Sequence, residues 1–148
     1  MADQNEDPIA IALFSEVLAA EQMIRQRLSR SFPANMELSH FMVLNHLSHQ
    51  TGERSPAQLA RAFNLTKGAM TNTLSKLEAA GYIHIRPDWD DARRKLVAIS
   101  TAGRQARDQA VGSVTPVINQ VVEELGDARV RNALPILREM RAKLREQA

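Results

Sequence analysis

The 148-residue sequence predicts a mainly α-helical fold that contains one small β-hairpin. Through residues 8–80 and 101–148, apolar side chains recur every three or four positions, which is the period of a helix with one buried face. Residues 82–86 and 95–99 instead alternate between polar and apolar side chains, as strands do, and a polar loop joins them. A content of 44% hydrophobic and 24% charged residues is typical of a globular chain.

Composition excludes several classes of protein. The chain has no cysteine, so disulfide scaffolds, thiolate metal sites and thiol catalysis are ruled out. No apolar run is long enough to cross a bilayer, and the acidic first seven residues do not resemble a signal peptide, so we expect a cytoplasmic protein. No phosphate-binding glycine loop, nucleophile elbow or zinc-protease motif is present, so the sequence predicts neither an enzyme nor a bound cofactor.

The charge distribution is more informative than the net charge of +2. Residues 1–53 carry three basic and seven acidic side chains, a net of −4. Residues 54–107 carry ten basic and four acidic side chains, a net of +6, and the remainder is neutral. A basic centre between non-basic ends is typical of a nucleic-acid-binding region, although a solvated basic face has the same appearance.

The helices are predicted from their caps and apolar stripes. Asp7 followed by Pro8 starts a first helix that runs to about Arg30, and Ser39 is the predicted cap of the second helix. Ser55, Pro56 and Gln58 form a capping box for a short third helix. A fourth helix is capped by Thr66, buries Met70, Leu74 and Leu77, and ends at a left-handed Gly81. Two further helices begin near Thr101 and after Gly126.

Residues 55–81, followed at once by the hairpin, have the order of a winged helix-turn-helix, in which the second helix enters the DNA major groove. With 100° per residue, the outward side of helix 66–80 presents a small polar face, formed by Gly68, Asn72, Ser75 and Ala79 and flanked by Thr71 and Lys76. Asn72 can pair with adenine through two hydrogen bonds, and Thr71 can contact a thymine methyl group or a phosphate. Lys67 opposes the helix dipole, which a nearby phosphate would explain. The alternative is an ordinary solvated amphipathic helix.

The hairpin supplies the second predicted DNA contact, a wing formed by residues 86–95. Within it an aspartate can fix one arginine by an ion pair while another arginine is left free, and an arginine presented in this way suits a narrow A·T-rich minor groove. The alternative is a loop whose charges only pair with one another. The predicted DNA-binding set is Lys67, Gly68, Thr71, Asn72, Ser75, Lys76, Arg86, Asp91, Arg93, Arg94 and Lys95.

Two segments resemble the MarR family of bacterial transcription regulators. Residues 91–103 resemble its wing signature of Asp-x-Arg, a Leu/Val-rich strand, then Thr and Gly at the next helix, and residues 65–83 resemble its recognition helix with the Leu-Glu-x-x-Gly ending. The resemblance implies that Arg93 is the wing arginine and Asp91 its partner. Many members carry arginine where this chain has Asn72, which indicates a different operator preference.

The resemblance also implies a homodimer on a pseudo-palindromic operator. Residues 1–35 would be an N-terminal dimerisation helix, 36–100 the winged DNA-binding lobe and 101–148 the C-terminal dimerisation helices, all in one intertwined domain. The first helix has an apolar arc too wide for packing on one side, which also favours a second copy, and the alternative is packing within one chain alone.

Members of the family often bind a small aromatic or lipophilic effector between the dimerisation region and the winged lobe. Candidate effector residues are Phe14, Met36, His40 and Phe41, and Met23, Phe32 and Met42 are further candidates for the lining. The alternative is that all of them are core residues. His46 and His49 are too few for a tight zinc site, so no metal is predicted. The sequence thus predicts a homodimeric DNA-binding regulator of the repressor type. The alternative function is a winged-helix protein-interaction module that no longer binds DNA.

Overall fold

The computed structural model describes residues 8–33 and 36–147. These residues form six α-helices and two β-strands: α1 (Pro8–Ser31), α2 (Leu38–His49), α3 (Pro56–Ala62), α4 (Lys67–Ala79), β1 (Ile83–Pro87), β2 (Lys95–Ile99), α5 (Thr101–Leu125) and α6 (Asp127–Glu146). The predicted fold class, mainly helical with one antiparallel hairpin, is confirmed. The chain divides into two compact units, Met1–Val111 and Gly112–Ala148. Within the described residues, no helix is both long and apolar enough to span a membrane.

The predicted caps of α3 and α4 are confirmed. The Ser55 hydroxyl accepts from the backbone N–H of Gln58 at 3.2 Å, and the Gln58 side chain accepts from the backbone N–H of Ser55 at 2.9 Å. The Thr66 hydroxyl accepts from the Ala69 N–H at 3.1 Å. Gly81 has φ +78°, the left-handed conformation that a residue after a helix often adopts.

The predicted cap of α2 is wrong, whereas that of α1, Asp7, lies outside the described residues. The N-cap of α2 is Glu37, so Ser39 is already the second residue of the helix. The backbone N–H of Glu37 donates to Nδ1 of His40 at 3.3 Å. His40 is the third residue of the helix, and its side chain thus accepts a hydrogen bond from the cap residue. With Glu37 as the cap, the helix begins two residues earlier than it would with Ser39 as the cap.

The core of the first unit joins α2, α3, α4 and the hairpin. Met70, Leu74 and Leu77 are buried as predicted, and Thr73 between them is buried as well. The largest fully buried side chains of the unit are Leu44, Leu59, Met70, Leu77, Ile83 and Val97. Because one side of α4 is committed to this core, its opposite side is fixed toward solvent.

The hairpin is tied to the helices at its base. β1 and β2 pair antiparallel from Ile83↔Ile99 to Pro87↔Lys95. Arg54, in the α2–α3 loop, adds two backbone hydrogen bonds to Val97, at 3.0 and 2.7 Å. The Ser100 hydroxyl donates to the Gly81 carbonyl at 2.6 Å and accepts from the Gly103 N–H at 2.9 Å. These bonds hold the hairpin against the end of α4 and the start of α5.

Candidate nucleic-acid interface

The polar face of α4 is exposed as predicted. Gly68, Asn72, Ser75 and Ala79 lie in solvent, opposite the buried side of the helix, and so do Lys67, Thr71 and Lys76. The Asn72 side-chain amide makes no hydrogen bond to the described part of the chain, so its donor and acceptor are both available. A ligand that approaches α4 from this side meets small polar groups and no large apolar side chain.

The polar face and the wing border the same depression. A cavity of about 290 Å³ is lined by Thr71, Leu74, Ser75 and Glu78 of α4, by Pro56, and by Ile85, Arg86, Pro87 and Lys95 of the hairpin. Thr71 and Ser75, which flank and form the polar face, therefore lie at the same surface as the two ends of the wing. Glu78 also contributes a carboxylate to this surface, and the sequence did not predict a role for that residue.

Asp91 orients Arg93 at the wing tip, residues 88–94. One carboxylate oxygen of Asp91 accepts from both the backbone N–H and the Nε of Arg93, each at 3.1 Å. These hydrogen bonds, the side-chain one foremost, lower the pKa of the Asp91 carboxyl from its ordinary value. The Arg93 side chain is nevertheless 90% exposed, so its position is fixed by Asp91 while its guanidinium faces solvent.

Of the other charged residues of the wing tip, Asp88 stabilises the loop and Arg94 remains exposed. Asp88 closes the loop, because its backbone N–H donates to the Arg94 carbonyl at 2.9 Å and its carboxylate accepts from the Asp90 N–H at 3.0 Å. The Arg94 side chain is exposed and forms no ion pair or hydrogen bond with any residue that the structure describes. The predicted arrangement of one fixed and one free arginine is therefore present.

Arg86 and Lys76, both in the predicted DNA-binding set, face acidic partners. The Nε and one terminal nitrogen of Arg86 donate to the same oxygen of Glu53, at 3.1 and 2.8 Å. The guanidinium carbon also lies 3.9 Å from the centre of the Trp89 ring. Nζ of Lys76 is 3.9 Å from the Glu37 carboxylate. Arg86 thus holds the wing to the α2–α3 loop, and the sequence reading missed both Glu53 and Trp89 as its partners.

The candidate effector residues separate into two groups. Met36 and His40 line a cavity of about 510 Å³ together with Glu37, Lys76, Leu77, Ala80 and Tyr82. Phe14 and Phe41 do not line it: Phe14 is 43% exposed on α1, and the Phe41 ring packs against Phe32 with 5.3 Å between centroids. Its lining combines polar and charged side chains with apolar ones, and the one lysine already faces the Glu37 carboxylate, so the cavity suits a ring compound that carries a polar group.

The two histidines considered for metal binding have different neighbours. The His46 ring stands edge-on to Phe63 at 5.3 Å, and Nε2 of His49 lies 3.1 Å from the Arg107 guanidinium. Among the residues that the structure describes, no group of three His, Cys, Asp or Glu side chains is placed to hold a metal ion.

Two capped helices, a short connection and an anchored hairpin at one surface define a winged helix-turn-helix protein. A family model described as "MarR family" matches residues 34–94, which include α2, α3, α4, β1 and the wing tip. Residues 34–94 therefore match the MarR family, in agreement with the resemblance found in the sequence.

Solved structures of regulators share the fold along most of the chain. The transcriptional regulator BldR from Sulfolobus solfataricus superimposes with a TM-score of 0.84 at 21% identity, over 93% of this chain and 98% of that one. A mutant MarR from E. coli complexed with operator DNA gives 0.79 at 21% identity, over 88% and 94%. Bordetella bronchiseptica BpsR gives 0.74 at 19% identity, over 86% and 98%. At these identities the similarity concerns the fold.

Proposed function

We propose that the protein is a homodimeric, sequence-specific DNA-binding transcription regulator of the repressor type. Residues 66–80 enter the major groove, and the wing, residues 86–95, lies at the adjacent minor groove. The observation that carries the proposal is the common surface formed by the small polar face of α4 and a wing whose Arg93 is exposed and oriented by Asp91. An operator complex of a MarR with the same fold supports it.

Exposed apolar side chains support the dimer. In the first unit, α1 has no buried residue, and Ile9, Leu18 and Met23 are each at least 60% exposed. In the second unit, α6 also has no buried residue and exposes Ile136 to 62%. Apolar exposure of this extent marks an interaction surface, and a second copy is its commonest occupant. Residues 1–35 and 101–148 therefore serve as the dimerisation region around a winged lobe of residues 36–100.

A small effector that releases the DNA is the second part of the proposal. The cavity lined by Met36, His40 and Lys76 lies beside α4, so a ligand bound there can shift the recognition helix. DNA binding by BpsR, which has this fold, is regulated by 6-hydroxynicotinic acid, an anionic ring compound. Lys76 and the apolar side chains of the lining suit that class of ligand if the ligand's carboxylate replaces Glu37 beside Lys76.

Arg93→Ala is expected to weaken DNA binding while the dimer persists. We would measure affinity for a duplex selected from a random pool by the wild-type protein, over a series of salt concentrations. Released counterions make the wild-type affinity fall steeply with salt, and loss of one cationic contact should reduce the slope of log K against log salt by about 1. The matched control is Arg131→Ala, because Arg131 is also exposed and paired with an aspartate, Asp127, but lies on α6.

Four outcomes of these measurements would count against the proposal. If no duplex is enriched, or if binding is insensitive to salt, the winged-helix protein-interaction module becomes the better account. If Arg93→Ala binds as tightly as Arg131→Ala, the wing does not contact DNA. Sedimentation analysis of the same samples tests the dimer, and a monomer at micromolar concentration would contradict it.

Gly68→Ala is expected to stabilise the fold and to weaken DNA binding. A β-carbon at Gly68 has nothing within 4 Å, so the fold does not require glycine there. Alanine should therefore raise the free energy of unfolding by about 0.5–1 kcal/mol. On DNA the added methyl group would stand between α4 and the groove, so we expect affinity to fall about fivefold. Thermal unfolding and duplex titration measure the two effects, and unchanged affinity would mean that α4 does not closely approach the groove.

A further inference from the structure

Trp89, the single tryptophan of the chain, is 83% exposed at the wing tip. Tryptophan is highly buried on average in folded proteins, and at binding surfaces it is among the residues that contribute most energy. Its indole is the largest neutral surface on a loop that otherwise consists mainly of charged side chains. Neither the family signature nor the predicted DNA-binding set includes it.

The indole is held in place from one side. The Arg86 guanidinium lies over the ring at 3.9 Å, and Arg86 is itself fixed by two hydrogen bonds to Glu53 in the α2–α3 loop. A cation stacked on an aromatic face is attracted by the ring's electrons. Because this contact already restricts the ring, a ligand that packs on the opposite face would lose less side-chain entropy on binding.

The charged side chains of the wing tip sum to −1, so the tip as a whole offers a polyanion no net Coulomb attraction. Asp88, Asp90 and Asp91 stand against Arg93 and Arg94. Arg93 is paired with Asp91, and Arg94 is the cation of the tip whose side chain forms no hydrogen bond or close ion pair with a described residue, although its charge acts on Asp91. A neutral contact can add affinity where Coulomb attraction is small, and such a contact does not release counterions.

We propose that Trp89 is a DNA-contacting residue whose free face packs on the deoxyribose of the strand beside the groove that Arg93 enters. This inference rests on the proposed function. The occupant is duplex DNA because Trp89 lies in the same short loop as the exposed Arg93 and Arg94. That loop continues the surface on which the polar face of α4 lies. Glu53 and Arg86 act as positioning residues for the ring.

The test compares Trp89→Ala, Trp89→Phe and Arg94→Ala on the duplex selected by the wild-type protein. Trp89→Ala should bind about tenfold more weakly with an unchanged salt slope, and Trp89→Phe should recover most of that loss because it keeps an aromatic face. Arg94→Ala should instead reduce the salt slope by about 1. Thermal unfolding of Trp89→Ala should match the wild type, since the side chain is exposed.

Because Trp89 is the single tryptophan of the chain, its fluorescence reports independently on whether the indole contacts DNA. Addition of the duplex to the wild-type protein should change the emission of Trp89 and reduce its quenching by acrylamide at least twofold. If the wild type binds the duplex but Trp89→Ala binds equally well, or the indole stays fully accessible to acrylamide, this inference is overturned and the proposed function stands. If the wild-type protein enriches no duplex at all, both are overturned.

Discussion

Asn72→Ala is expected to remove discrimination at one adenine-containing position of the operator. The exposed amide has no partner in the described chain, and two hydrogen bonds to the N6 and N7 edge of adenine would satisfy both of its groups. Losing them should cost about 1–3 kcal/mol on the selected duplex, which corresponds to about 5- to 150-fold in affinity. On a duplex with the contacted base pair replaced, wild type and variant should bind alike.

Asn132→Ala is the matched control for this prediction. Asn132 is likewise an exposed asparagine within a helix, so the same chemical change is made outside the winged lobe. It lies one turn from Ile136 on α6, so sedimentation analysis must first show that Asn132→Ala is still a dimer. Both substitutions replace asparagine with a better helix former, so neither should destabilise the fold. Equal weakening of Asn72→Ala on every duplex would mean that Asn72 contacts only the DNA backbone.

Gly103→Ala is expected to destabilise the protein strongly. A β-carbon at this position would collide with the backbone carbonyl oxygen of Tyr82 and press on the Ile99 side chain. The same carbonyl accepts the backbone N–H of Ser100 at 2.9 Å, so it cannot move without loss of that bond. Overpacking and a strained hydrogen bond together should lower the free energy of unfolding by about 3 kcal/mol.

The control for this change is the other helical glycine of the first unit, Gly68, whose replacement by alanine should raise the free energy of unfolding. Urea unfolding of both variants at one protein concentration measures the pair, because dimerisation makes apparent stability depend on concentration. Equal stability of Gly103→Ala and wild type would show that the hairpin base and the start of α5 are not packed as closely as described.

Gly103 also gives a physical reason for part of the wing signature. In sequence, residues 100–103 read only as a helix start. In the fold, the Ser100 hydroxyl joins the end of α4 to the first turn of α5, and the missing side chain of Gly103 lets the Tyr82 carbonyl approach. The signature therefore includes residues that place the wing as well as Arg93, which is exposed for contact.

The prediction from sequence succeeded for contacts between near neighbours in the chain. The caps at Ser55 and Thr66 and the Asp91–Arg93 pair each join residues two or three positions apart, so both partners could be recognised in one short segment. The cap of α2 failed because two candidate caps, Glu37 and Ser39, stand two residues apart. The His40 ring, whose Nδ1 accepts the Glu37 N–H, favours the first.

The amino-acid sequence alone determined the helix and hairpin order, the small polar face of α4, the fixed arginine of the wing and the family. These features depend on periodicity and on local hydrogen bonds, which act over a few residues. Only the tertiary structure decided that Arg86 binds Glu53, 33 residues away, rather than standing free, and that Trp89 is held beside it. It also decided that Thr71 and Ser75 share a surface with Lys95. Such contacts exist only once the chain has closed long loops around a common core.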